Sequence, residues 1–278
     1  MDRTLDFPRI WVPEWFRKDK RVHEMRLPTH LPGLGRRQYG ITPDMGSSFP
    51  AAPVTGMVMW FKSDTGTFQD NTLSTPATAN NDPMGGWVDQ SGNTHNATQS
   101  NGARKGVFLT NRLNGAPSIR LGGSLKSLVT GSFTLNQPVD FYCVIQQTTW
   151  VAGCSFFASQ GAGNPQLRQY LSGTTPQIAI SDTGETCVNG DLSLNTFHVV
   201  QFRVNGASSF IKVDNGTNTT GNPGGTAFGG LWIGDVTGSL GVYEFVQILV
   251  YSSALSTTDA TTNRQYFKGQ YSSLPTQA

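Results

Sequence analysis

The sequence predicts an all-β fold: a two-sheet antiparallel β-sandwich with a short C-terminal helix, preceded by an extended N-terminal arm. Three observations carry this. Thirty-two glycines and only 14% charged residues in 278 suit short strands joined by many turns better than an α/β enzyme. From about residue 54, β-branched and aromatic runs follow one another, each bounded by Gly, Asn, Asp, Ser or Pro. Only the last stretch carries a helix start signal.

The elements follow in order. Residues 1–46 hold nine Lys/Arg against six Asp/Glu, while the remainder holds eleven against twelve. Prolines at 8, 13, 28 and 32 forbid a continuous helix there and favour extended or turning backbone. The only regular element allowed is a short helix near Glu14–Met25. Trp11, Trp15, Phe16, Arg36, Arg37 and Tyr39 give this arm aromatic and basic anchors, yet it is too short to build its own core. The expected organisation is an arm at 1–46 for docking, a linker at 47–53 (GSSFPAAP runs into it) and a sandwich at 54–278.

Within the sandwich the runs VTGMVMWF, PSIRL, VDFYCVIQQ, SFFAS, QIAIS, FHVVQFRV, SSFIKVD, GGLWIGD and VYEFVQILVY read as strands. FHVVQFRV and SSFIKVD flank Asn205-Gly206, a hairpin signal. Alternation in the first of these sets His198, Val200, Phe202 and Val204 on the apolar face, with Phe197, Val199, Gln201 and Arg203 opposite. Near the end, Ser256 and Thr257 are N-cap candidates for a helix running to Gln270. Sixteen Phe and six Trp supply a sizeable core.

Four stretches, in order, resemble the laminin-G-like, concanavalin-A-like jelly-roll superfamily. They are GMVMWFKSDTGT, then WVDQSGNTHNATQ, then LNGAPSIRLGG, and finally YEFVQILVYSSALSTTDATTNRQYFKGQYS, spanning about residues 54–272. The resemblance implies a jelly-roll topology; it leaves function open, since this sandwich hosts lectins, glycanases, adhesins and structural modules. In the second stretch Trp87 is expected to pack in the sandwich. Asp89, Ser91, Gly92 and Asn93 are expected to form a hydrogen-bonded turn, because their side chains bond nearby backbone N–H groups and Gly92 can take positive φ. Asp89, Asn93 and Asn96 also present oxygens of the kind that suit Ca²⁺, but no cofactor is expected.

The sequence carries no recognisable active-site motif. Glycan hydrolases on this fold are expected to set two or three carboxylates on one strand, as E-x-D-x-E, because cleavage needs a proton donor and a nucleophile or base at fixed separation. Here Glu244 stands alone in VYEFVQ, and Asp214 and Asp235 read as turn residues. His23-Glu24 lacks the second histidine of a zinc protease motif, position 27 being Leu. No G-x-S-x-G occurs, and His95 and His198 are isolated, the latter read as solvent-facing. Trp60, Trp150 and Trp232 are candidate sugar platforms, although such residues more often belong to the core. Cys143, Cys154 and Cys187 lack metal-ligand spacing and are expected as buried free thiols.

A net charge of +2 makes no case for nucleic acid, and no segment is apolar enough to span a membrane. No secretory core is visible near the start, so synthesis in a host cytoplasm without a signal peptide is expected. An unexported jelly-roll with a docking arm and no recognisable active site suggests a non-enzymatic bacteriophage structural protein located in the virion. A capsid decoration, head-fibre or tail-associated component fits. Its partners would be capsid or tail proteins of the same virion and further copies of itself, trimers by analogy. The alternatives are a lectin-like module recognising surface glycan and, last, a glycan hydrolase.

Overall fold

In a computed structural model the described residues are 50, 52–160 and 165–277. The arm residues Trp11, Trp15, Phe16, Arg36, Arg37 and Tyr39, and the short helix near Glu14–Met25, lie outside them.

Two nine-stranded sheets face each other. The first runs Thr219–Gly221, Ser209–Val213, Phe197–Val204, Val139–Thr149, Val242–Tyr251, Ala116–Gly122, Gly106–Leu113, Pro83–Met84, and Met59–Lys62 also pairs with Val242–Tyr251. The second runs Glu185–Asn189, Ile178–Ser181, Gln166–Gln169, Ser155–Ser159, Leu231–Gly234, Ser127–Val129, Ala97–Thr98, Gly86–Trp87, Thr67–Phe68. Neighbours pair antiparallel, and long-range pairings cross the chain between hairpins; Val139–Thr149, for example, sits between Phe197–Val204 and Val242–Tyr251. The expected all-β sandwich with a closing helix is therefore the fold.

Burial of aromatic rings between the sheets is the main force holding it. Phe61, Trp87, Phe141, Phe157, Phe202, Phe228, Tyr243 and Phe245 are fully or almost fully buried. Phe157 is the hub, with ring centroids 5.2 Å from Phe245, 5.4 Å from Phe141 and 6.5 Å from Phe202.

A second apolar cluster covers the outer face of the first sheet. There Tyr142, Val144, Val199, Val246, Leu249 and Tyr251 pack with Tyr266, Phe267 and Tyr271 from or next to helix α1 (Thr257–Gln270). Ser256 caps α1 by accepting from the Asp259 N–H at 3.1 Å, and its hydroxyl donates to Asp259 at 2.8 Å, satisfying an orphan donor of the first turn. This cluster explains a departure from the alternation reading of 197–204. Val200, Phe202 and Val204 do face the inter-sheet core, but the opposite set is buried as well, with Val199 and Gln201 at 0% and 1% exposure. A strand covered on both faces loses the polar half of its pattern.

The hairpin after Val204 is present, with Phe202 opposite Ile211. Its connection is four residues, Asn205–Ser208, closed by Ser208 N–H donating to the Asn205 carbonyl at 2.9 Å and by Asn205 N–H donating to Ser209 Oγ at 2.8 Å. The cap loop of α1 is tied to the first sheet by charge. Arg203 makes two bonds to the fully buried Asp140, at 2.7 and 2.6 Å, and donates to the Leu255 carbonyl at 2.7 Å.

Candidate functional site

The W-x-D-x-S-G-N stretch forms a closed staple. Asp89 accepts four bonds: Oδ1 from Trp60 N–H (2.8 Å) and Ser91 N–H (2.9 Å), Oδ2 from the Ser91 hydroxyl (2.8 Å) and His95 N–H (3.1 Å). Asn93 Nδ2 donates to the Met57 and Val58 carbonyls at 3.1 and 3.2 Å, and Gly92 adopts φ +92° with open space where a side chain would stand. Trp87 is fully buried and its indole N–H donates to the Lys62 carbonyl at 2.7 Å. The carboxylate is thus saturated by donors, which leaves it unsuited to a cation. Among the described residues no group of three His, Cys, Asp or Glu is placed to hold a metal.

Glu244 is fully buried on the face of the first sheet away from the inter-sheet core. It accepts from Arg112 (2.9 and 3.2 Å), Arg120 (2.7 and 3.2 Å) and Ser118 (2.8 Å). Burial works to raise its pKa, but the bonds from Arg112, Arg120 and Ser118 outweigh it and hold the carboxyl below its usual value. A carboxylate locked in the ionised form is a structural anchor and a poor proton donor. Asp235 is likewise occupied, accepting from Thr237 N–H at 2.9 Å and Leu125 N–H at 3.2 Å. The three cysteines are free and buried; burial pushes the Cys143 and Cys154 thiols well up and that of Cys187 up to about 11.

An open groove of about 460 Å³ lies along the strands Gln166–Gln169, Ile178–Ser181 and Glu185–Asn189 of the second sheet. Arg168, Tyr170, Leu171, Ser172 and residues 181–185 line it. Leu167 and Ile180 face the core, so alternation turns Arg168 to the outer surface. Glu185 Oε1 accepts from Arg168 Nε at 2.8 Å and from Leu171 N–H at 2.9 Å, an ion pair that braces one wall. At the hairpin tip Asp182 accepts from Thr226 N–H at 3.1 Å, and the Thr183 N–H and hydroxyl donate to the Pro223 carbonyl at 2.9 and 3.0 Å. Tyr170 is half-buried and Leu171 is 54% exposed.

One candidate sugar platform, Trp150, lies beside Tyr170, a residue that lines this groove. A side chain built on Gly173 would meet the Tyr170 ring at 3.1 Å and the Trp150 ring at 3.2 Å, so the two rings flank that glycine. The Trp150 indole N–H is anchored on the Gln177 carbonyl at 3.0 Å. Trp60 packs instead beside the cluster under α1, and Trp232 is half-buried in the middle of the second sheet, opposite Ala158 and Val129.

His198 departs from the solvent-facing reading: it is 7% exposed and lies between Asp214 and Ser193. Its apolar parity shows in the sequence, whereas its two partners come from a loop and a strand end 5 and 16 residues away.

No protein-family model and no curated protein sequence matches the chain. Solved structures do share the fold. A Trypanosoma rangeli sialidase matches 78% of this chain at 12% identity with a TM-score of 0.52. A GH54 α-L-arabinofuranosidase soaked with a cyclic sulfate inhibitor matches 81% at 16% identity and TM-score 0.53. An arabinofuranosidase complexed with arabinofuranosyl-α-1,2-xylobiose matches 79% at 14% identity and TM-score 0.53. The chain spans 33% of the sialidase and 60% of each arabinofuranosidase. At this identity the likeness establishes the fold.

These matches correct the expectation of a non-enzymatic bacteriophage component. The three structures are a sialidase and two arabinofuranosidases, and none of them points to a virion. The missing E-x-D-x-E run does not exclude an enzyme either, because carboxylates at the needed separation can come from different strands and loops.

Proposed function

We propose that the sandwich is a glycan-recognition domain and that the groove lined by Arg168, Tyr170, Asp182 and Glu185 holds the sugar. The observation that carries this reading is the Tyr170 ring lining an open groove together with charged and hydroxyl groups, with the Trp150 ring beside it across Gly173. Sugars present an apolar ring face and a rim of hydroxyls, so aromatic carbon and a few fixed polar groups are the matching chemistry. The bracing of Glu185 by Arg168 and of Asp182 by Thr226 preorganises that rim. Kinship to the laminin-G-like, concanavalin-A-like superfamily belongs to the same proposal and rests on the four sequence stretches in order.

A second reading, glycoside hydrolysis in the same groove, is favoured by one observation: two carboxylates, Asp182 and Glu185, line it together. Both readings are tested by one series. The purified chain is screened on a glycan array, and its best ligands are titrated by calorimetry against wild type, Tyr170→Ala and Asp182→Asn. Binding that weakens at least about tenfold in Tyr170→Ala supports recognition at the groove. Release of reducing ends that stops in Asp182→Asn or Glu185→Gln supports hydrolysis. Binding unaffected by any of these changes overturns the groove as the site.

A further inference from the structure

The geometry points to a second, hydrolytic site built from Ser193, His198 and Asp214: a serine esterase centre that cleaves carboxylic esters. His198 Nδ1 lies 2.6 Å from Asp214 Oδ2, and His198 Nε2 lies 2.9 Å from Ser193 Oγ. With Nδ1 carrying the proton toward the carboxylate, Nε2 is left to accept from the serine hydroxyl, the hand-off that activates a serine nucleophile. Exposure is graded in the useful sense. Asp214 and His198 keep 14% and 9% side-chain exposure, whereas Ser193 is exposed, so the hydroxyl meets substrate while the base and its orienting group stay sheltered.

The supporting bonds hold this arrangement in place. Asp214 Oδ1 accepts from Val199 N–H at 2.9 Å and from Gln277 Nε2 at 2.8 Å, which aims Oδ2 at the imidazole. The serine loop is pinned from Gln147, whose side chain donates to the Leu192 carbonyl at 3.1 Å and whose carbonyl accepts from Asn195 N–H at 2.7 Å. Among the described residues the Leu194 N–H has no acceptor. It lies one residue past the serine, the position from which a backbone donor can take a developing oxyanion. None of these residues lines the sugar groove, so the inference stands apart from that reading.

The reaction balances without a cofactor. Ser193 Oγ attacks the ester carbonyl carbon as Nε2 takes its proton; the bond to the alcohol oxygen breaks, and the alcohol leaves with that proton. Water then attacks the acyl-serine, giving up its proton to Nε2, and the proton returns to Oγ as the acid departs.

The test uses the full chain with a fluorophosphonate probe, peptide mass spectrometry, and 4-nitrophenyl acetate hydrolysis. The expected result is one phosphonyl adduct on Ser193 and hydrolysis that falls at least about 100-fold in Ser193→Ala. Labelling should slow by a similar factor in His198→Gln. Ser193 is exposed and, among the described residues, its hydroxyl bonds His198 alone, so Ser193→Ala should keep the wild-type melting curve. No adduct on Ser193 in the folded wild type overturns the inference. So does labelling at an undiminished rate in His198→Gln, or hydrolysis unchanged in Ser193→Ala.

Discussion

Replacing Glu244 by Gln probes the most heavily bonded carboxylate described above. Glu244 is fully buried, while its partners Arg112 and Arg120 keep 36% and 39% side-chain exposure. The amide retains one oxygen for one arginine but turns an N–H₂ group toward the other and toward Ser118, cancelling short bonds of 2.8 and 2.9 Å. Hydrogen bonds to a charged group contribute about 1.5–3 kcal/mol each, and breaking a buried ion pair costs about 3–5 kcal/mol. The arginines can recover water and the carboxylate's own desolvation is relieved, so the net loss should be about 2–4 kcal/mol. For a domain of this size that lowers Tm by roughly 5–15 °C.

The pH dependence gives a second, independent reading. The folded-state pKa of Glu244 is lowered, so its stabilising contribution is fully present above the unfolded-state value of about 4.3. It is lost as pH falls through the lower folded-state value. Thermal unfolding by circular dichroism from pH 7 downward should therefore show the gap between wild type and Glu244→Gln narrowing below about pH 4. A variant within 1–2 °C of wild type at pH 7 (about 0.5 kcal/mol), or a gap that stays constant into acid, would refute the reasoning.

Other perturbations follow from the same geometry. Asp89→Ala removes four accepted bonds and frees the staple between residues 57–60 and 89–95; chemical denaturation should register a loss of about 2–4 kcal/mol. Arg203→Ala strands the buried Asp140 and should cost about 3–5 kcal/mol, with faster amide exchange across α1 as its signature. Gly122→Ala places a methyl 2.1 Å from the Gly241 carbonyl oxygen at φ +82° and should abolish soluble expression or lower Tm steeply. Native protein should resist a thiol reagent such as DTNB at pH 8, because burial raises all three thiols; rapid labelling of any cysteine would contradict the packing.

The fold was largely legible and the candidate site was not, for the same physical reason. Strands such as Val139–Thr149 and Val242–Tyr251 are buried over nearly their whole length, and that burial writes long β-branched and aromatic runs into the sequence. The groove is built on Gln166–Gln169 and Glu185–Asn189, QLRQ and ETCVN, which lie toward the edge of the second sheet and are polar at both buried positions (Gln169, Asn189) and partly exposed ones. Such strands carry little β signal and were not expected. Gly106–Leu113, also unexpected, breaks its alternation at the exposed Thr110-Asn111-Arg112 before ending in the buried Leu113. The helix was readable because its cap is local chemistry: Ser256 and Asp259 are three residues apart. The shielding of His198 does not show in its own strand, because it comes from a loop five residues before it and a strand end sixteen residues after it. Isolation along the chain says nothing about neighbours across a hairpin.

The most direct test of the central claim is hydrogen–deuterium exchange with and without the strongest glycan-array ligand. Slowed exchange is expected, confined to residues 168–172 and 181–185 and lost in Tyr170→Ala. Protection elsewhere on the sandwich, or none at a saturating ligand concentration, would contradict the claim.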